Sequence, residues 1–229
     1  MYKEVTMNEI IQIEHAVKTF GKITVLQDVS LTVRKGTICG IVGRNGSGKT
    51  VLFKAVCGFY RLTSGTITVK GKRLGKDTDI PENVGSIIET PGFLGHFSGY
   101  RNLKYLAGIR GRIGKSEIFQ AIEQVGLDPR SRKHVNKYSL GMRQRLGLAQ
   151  AFMEGQDILV LDEPMNGLDN QGVADMRRML LDLKEQGKTI LMASHNREDI
   201  ETLCDEVYEM NGGILTQRTE SYQSDKVSF

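Results

Sequence analysis

Apolar and polar residues alternate at Ile11, Ile13 and Ala16 and again at Val29, Leu31 and Val33, the period-two signature of two half-buried strands. Lys35-Gly36 then makes a turn. The following run, Thr37-Ile38-Cys39-Gly40-Ile41-Val42, is nearly continuous in apolar residues, as expected of a strand covered on both faces of a parallel sheet. Ile158-Leu159-Val160-Leu161 and Thr189-Ile190-Leu191-Met192-Ala193 read the same way. Between these runs the period lengthens. Residues 50–57 and 171–185 read as helices, and residues 65–70 as a short β segment with Ile67 and Val69 on one face. From Pro91 to Gly155 the chain is helical in character, with Ile118, Ala121, Ile122 and Val125 at helix spacing and Ser116 as the expected cap. Strands alternating with helices imply right-handed βαβ units and a parallel sheet.

The length of 229 residues and a 39% hydrophobic content suit one large α/β domain carrying an inserted subdomain. No stretch approaches 18 consecutive apolar residues, and residues 1–9 carry neither a hydrophobic signal region nor a cleavage site. A cytosolic chain is therefore expected. Residues 219–229 are polar and aperiodic, and a loosely ordered tail is expected there. Cys39, Cys57 and Cys204 are odd in number and widely spaced, which fits reduced, mostly buried thiols rather than a metal site. The net charge is only +4, but residues 95–150 hold eleven Lys/Arg against three Asp/Glu. Such a segment suits a solvated helical surface, or one facing anionic headgroups or nucleic-acid phosphate.

The chemistry enters at the end of the first buried strand. Gly43-Arg44-Asn45-Gly46-Ser47-Gly48-Lys49-Thr50 matches G-x-x-x-x-G-K-[ST] between a predicted strand and a predicted helix. In such a loop Gly43, Asn45, Gly46, Ser47 and Gly48 wrap backbone N–H groups around phosphate oxygens, aided by the helix N-terminus. Lys49 neutralises the β and γ phosphates, and Thr50 offers a hydroxyl to Mg²⁺. Asp162-Glu163 ends the second buried run, where open α/β sheets bind ligands. Asp162 is expected to serve the metal and Glu163 to accept a proton from, or orient, the attacking water. His195 follows the third run directly and is placed to sense the γ phosphate.

These elements define a P-loop NTPase; Tyr138-Ser139-Leu140-Gly141-Met142-Arg143-Gln144-Arg145 narrows the reading. This segment resembles the signature sequence of the ABC ATPases, and the resemblance covers nearly the whole chain. It implies a P-loop NTPase (RecA-like) core, residues 9–90 and 155–218, with an N-terminal antiparallel β-subdomain and an inserted α-helical subdomain, residues 91–154. Phe20 takes the place of the aromatic residue that stacks on adenine, and Asn166-Gly167-Leu168-Asp169 that of the loop through which protomers communicate. In that family two ATPase subunits meet head to tail, so Ser139 and the Gly141 N–H would contact the γ phosphate held by the opposite phosphate loop.

Two positions depart from the family pattern. Glu89 stands in Ile87-Ile88-Glu89-Thr90-Pro91 where Gln is usual; its carboxylate would still ligate Mg²⁺ but adds negative charge beside Glu163. Met142 replaces another usual Gln. Both departures resemble the subgroup that exports bacitracin and lantibiotic-type peptides. The expectation is an ATP- and Mg²⁺-dependent subunit, peripheral on the inner face of the cell membrane. Its expected partners are a separately encoded permease and a second ATP-binding subunit, the same or different, with no nucleic acid. A soluble ABC ATPase acting on ribosomes or DNA is the alternative, with a nucleotide-dependent regulatory module a third reading. The tandem cassettes or coiled-coil insertion usual in the soluble relatives are missing from this sequence.

Overall fold

The computed structural model describes residues 8–89 and 91–218, so the expected tail at 219–229 lies outside the described residues. The chain opens on two long strands, β1 (Glu9–Phe20) and β2 (Ile23–Arg34), followed by β3 (Ile38–Val42) and helix α1 (Lys49–Val56). Then come β4 (Ser64–Val69), β5 (Lys72–Arg73) and β6 (Val84–Ile87). Three helices follow, α2 (Gly99–Arg110), α3 (Lys115–Gln124) and α4 (Leu140–Phe152). The chain closes with β7 (Ile158–Asp162), α5 (Asn170–Glu185), β8 (Thr189–Ala193), α6 (Arg197–Leu203), β9 (Glu206–Asn211) and β10 (Ile214–Gln217).

Two sheets form. A four-stranded antiparallel sheet has the order β2-β1-β4-β5, and a six-stranded sheet the order β10-β9-β3-β8-β7-β6, parallel except for β10. Every residue of β7 and β8 is buried, which accounts for their unbroken apolar runs. One apolar layer joins the inner face of the antiparallel sheet to α1, where Leu52, Phe53 and Val56 are sealed from solvent. The other joins the far face of the parallel sheet to α2–α5, through Leu103, Ile122, Leu146 and Leu180. The chain is thus an α/β protein with a P-loop NTPase core, an antiparallel β-layer on one side and a helical insertion between β6 and β7.

Four elements differ from the sequence reading. Strand β6 was not expected, because Val84-Gly85-Ser86-Ile87 is short and half polar. It enters the parallel sheet through pairing with β7, and α4 lies so near that a Cβ at Gly85 would overlap the Ala151 carbonyl oxygen. The strands after α6 were missed as well. Ser116 does not cap α3: the helix begins one residue earlier, and the Gly114 N–H donates to Glu117 Oε2 at 3.0 Å. Among the described residues no helix is long and apolar enough to cross a membrane.

Candidate functional site

The register of the parallel sheet assembles the site. Ile41 of β3 and Asp162 of β7 both pair with Ala193 of β8, so the segments that leave these three strands emerge side by side at their carboxyl ends. The phosphate loop, Asp162-Glu163 and His195 are those segments. A cleft of 570 Å³ opens there, lined by Asn45 to Val51, Glu89, Asp162 and Glu163, with Val25, Leu140, Gln144, Asn166 and Gly167 around it.

The loop wraps as the motif requires. Gly46 and Gly48 have φ of 79° and 114°, left-handed values that a side chain would strain. Helix α1 therefore starts at Lys49 with free N–H groups and no side-chain cap facing the cleft. Lys49 is buried, and its ammonium donates to the carbonyls of Gly43 at 2.6 Å and Arg44 at 3.2 Å while standing 3.7 Å from Glu163 Oε1. A buried ammonium with partial compensation is a receptor for anions.

Thr50 Oγ1 donates to Asp162 Oδ2 at 2.6 Å. Burial, chiefly, raises the Asp162 pKa above the usual carboxylate value; the Thr50 bond opposes this, and the charges of Glu163 and Glu89 add to it. Glu163 has a left-handed φ of 51° and a split environment: Oε2 accepts from His195, whose Nδ1 is 2.7 Å away and whose backbone N is 3.3 Å away. Oε1 has no hydrogen-bond partner. Three buried side-chain atoms among the described residues are in that condition, Ser47 Oγ, Gln144 Oε1 and Glu163 Oε1, and all three residues line this one cleft. Orphaned buried polar atoms are costly, and their concentration at one place marks where a polar ligand belongs. The same donor set fits a hard cation. A hydroxyl and a carboxylate lie within one hydrogen bond of each other, and no cage of three or more His, Cys, Asp or Glu forms among the described residues, so a metal here would draw its other oxygens from a phosphate ligand.

Lys49, Thr50, Asp162, Glu163 and His195 therefore come together. Glu89 reaches the rim, but its carboxylate is engaged by Lys54 Nζ at 2.7 Å. Phe20 ends β1 outside the cleft lining, 41% exposed, with the Tyr60 ring edge-to-face at 5.3 Å between centroids and Lys18 Nζ 4.7 Å from the Phe20 centroid. Ser139 and Gly141 do not line the cleft of their own chain. Ser139 is the N-cap of α4, its Oγ accepting from Met142 N at 3.2 Å. Asp169 likewise caps α5 through Gly172 N at 2.8 Å.

Sequence reasoning missed the support behind His195. Ser194 Oγ donates to the buried Asp199 at 3.0 Å, and Asp199 is gripped by Arg177 through Nε at 2.8 Å and a terminal nitrogen at 2.6 Å. Nothing in a linear pattern joins Arg177 of α5 to Asp199 of α6. Leu140 and Gln144, from the helical insertion, were likewise not expected on the wall of this cleft.

Comparison with known proteins agrees with this geometry. The family model described as ABC transporter matches residues 26–166. An uncharacterized ABC transporter ATP-binding protein of Bacillus subtilis, YybJ, is 44% identical over 217 residues, covering 94% of this chain and all of that protein. The bacitracin transport ATP-binding protein BcrA of Enterococcus faecalis is 42% identical over 213 residues, covering 92% of this chain and 69% of BcrA. In fold, the chain superposes on a nucleotide-free ATP-binding cassette from an ABC transporter with a TM-score of 0.81 at 24% identity, covering 93% of each chain. This chain belongs to the ABC transporter family and is one of its ATP-binding ATPase subunits.

Proposed function

We propose that the cleft at the carboxyl ends of β3, β7 and β8 binds ATP with Mg²⁺ and hydrolyses it to drive peptide export through a separately encoded membrane permease. The observation that carries this reading is the concentration of orphaned polar atoms around a buried lysine. Lys49 and the loop N–H groups take the β and γ phosphates, with Gly43, Asn45, Gly46, Ser47 and Gly48 shaping the cradle. Thr50 and Asp162 would hold Mg²⁺, which would supply positive charge against the phosphates. Glu163 orients or deprotonates the attacking water through Oε1, which lacks a hydrogen-bond donor, while His195 fixes Oε2 and faces the γ phosphate. Glu89 stands close enough to the rim to join the metal's outer shell.

Residues 9–90 and 155–218 act as the nucleotide-binding core and residues 91–154 as the helical subdomain, within one domain. Phe20 supplies the face on which adenine stacks, a contact worth about 1–3 kcal/mol where bases stack on aromatic side chains. Ser139 and Gly141, which do not line the cleft of their own chain, contact the γ phosphate of a second subunit. The chain works as a homodimer or heterodimer, peripheral on the inner face of the membrane, and nucleic acid has no part in the cycle. The 42% identity to a bacitracin transport protein supports an antibiotic peptide or drug as the class of cargo.

Purifying the tagged chain from its own cells in mild detergent and identifying its companions by mass spectrometry tests the assignment. A polytopic membrane protein in near-equal amount is the expected result. Ribosomal proteins, DNA or no companion would contradict it.

A further inference from the structure

One cation beside the cleft has no role in the reading above. Lys54 lies on α1, the helix that begins with Lys49 and Thr50, and its Nζ donates to Glu89 Oε1 at 2.7 Å. Its side chain is 21% exposed against 64% for that of Glu89, so the lysine is the anchored partner. Glu89 needs an anchor, because its backbone φ of 63° is one that a non-glycine residue keeps only when its surroundings enforce it.

The charge balance gives the contact a purpose. Glu89, Asp162 and Glu163 all line the cleft, while Lys49 is the one lysine of that lining. Three carboxylates against one ammonium make a poor receptor for a polyanion. Lys54, standing behind Glu89, cancels the acid that this chain carries at the mouth of its core-to-helix loop. Its other side faces the Tyr60 ring at 5.8 Å, and Tyr60 meets Phe20 at 5.3 Å, so the same ammonium touches a contact chain that runs to the proposed adenine platform.

We propose that Lys54 is a positioning residue that neutralises Glu89, admitting nucleotide phosphates to a cleft otherwise dominated by acids and fixing the loop before the helical insertion to α1. The proposal rests on the ATP reading of the cleft. It predicts a dependence on metal: without Lys54, unscreened Glu89 repels the phosphates most when no divalent cation masks them.

Equilibrium binding of a fluorescent ATP analogue to the intact chain, in EDTA and again in Mg²⁺, separates the possibilities without turnover. Lys54→Met is expected to weaken binding roughly three- to fivefold in EDTA, the upper range for a partly exposed ion pair, and less in Mg²⁺. Adding Glu89→Gln is expected to restore the EDTA affinity, since the unpaired charge is gone. Lys54→Arg, which keeps the charge, is expected to bind like the wild type, and Lys54→Gln carries the same comparison should the Met variant not fold. A double variant as weak as Lys54→Met alone, or Lys54→Met binding like the wild type, overturns the proposal. Wild-type protein that binds no analogue in either buffer overturns the ATP reading itself, a distinct result.

Discussion

Glu163 combines two unfavourable features in one residue. Its backbone is left-handed at φ 51°, a strain of about 1–3 kcal/mol for a non-glycine residue, and one carboxylate oxygen is buried without a donor. Both costs persist because they aim Oε1 into the cleft while His195 holds Oε2. Glu163→Gln keeps the shape and removes the carboxylate proposed to orient or deprotonate the water. Hydrolysis is expected to fall by about 10²–10⁴ in single-turnover assays while ATP binding survives, as expected for a general base. A variant with near-normal turnover would remove Glu163 from its role. Asp162 carries a different cost. Its folded pKa is raised above the unfolded value, so the folded state binds the proton more tightly and stability declines as pH climbs through that interval. Asp162→Asn should therefore unfold at a higher temperature than the wild type at pH 8. The gap should narrow as pH approaches 4, readable by calorimetry, and nucleotide turnover should be lost throughout.

At the scale of elements, close approach and capping set the tolerances. Strand β6 touches α4 at Gly85, where a methyl group would meet the Ala151 carbonyl. Gly85→Ala is expected to cost about 1–3 kcal/mol in denaturant unfolding, the range for overpacked sites. Helix α5 is tied to α6 by Arg177 and the buried Asp199, which in turn orders Ser194 before His195. Arg177→Ala leaves that carboxylate uncompensated and should cost about 3–5 kcal/mol, measured in the same way. These elements also show where the sequence was readable. Strands β3, β7 and β8 announced themselves because both their faces are covered, leaving uninterrupted apolar runs. Strand β6 stands at the edge of the sheet, paired with β7, and has only four residues, two of them Gly and Ser, so pairing rather than propensity makes it a strand. The phosphate loop, the acid pair and His195 were legible because each follows a readable strand. Arg177, Asp199 and Gln144 were not, since tertiary packing alone brings them to the site.

Over the whole molecule, the proposed reading divides the nucleotide contacts between two subunits. The cleft opens at the carboxyl edge of the core; Leu140 and Gln144 of α4 stand on its wall, while Ser139 and Gly141 beside them do not line it. Within residues 95–150, Arg110 pairs with Glu154, Arg145 with Asp175, and Arg143 donates to the Tyr138 carbonyl. If the γ phosphate of one subunit is grasped by the first turn of α4 in another, ATP must favour the paired state and its hydrolysis the separated one. Light scattering coupled to size exclusion, applied to Glu163→Gln with and without ATP and Mg²⁺, reads that coupling directly. The account predicts a monomer without nucleotide and twice that mass with ATP, abolished by adding Ser139→Arg or Lys49→Ala. A variant that binds ATP yet stays monomeric at every concentration, with no other ATP-binding subunit required for its activity, would contradict it.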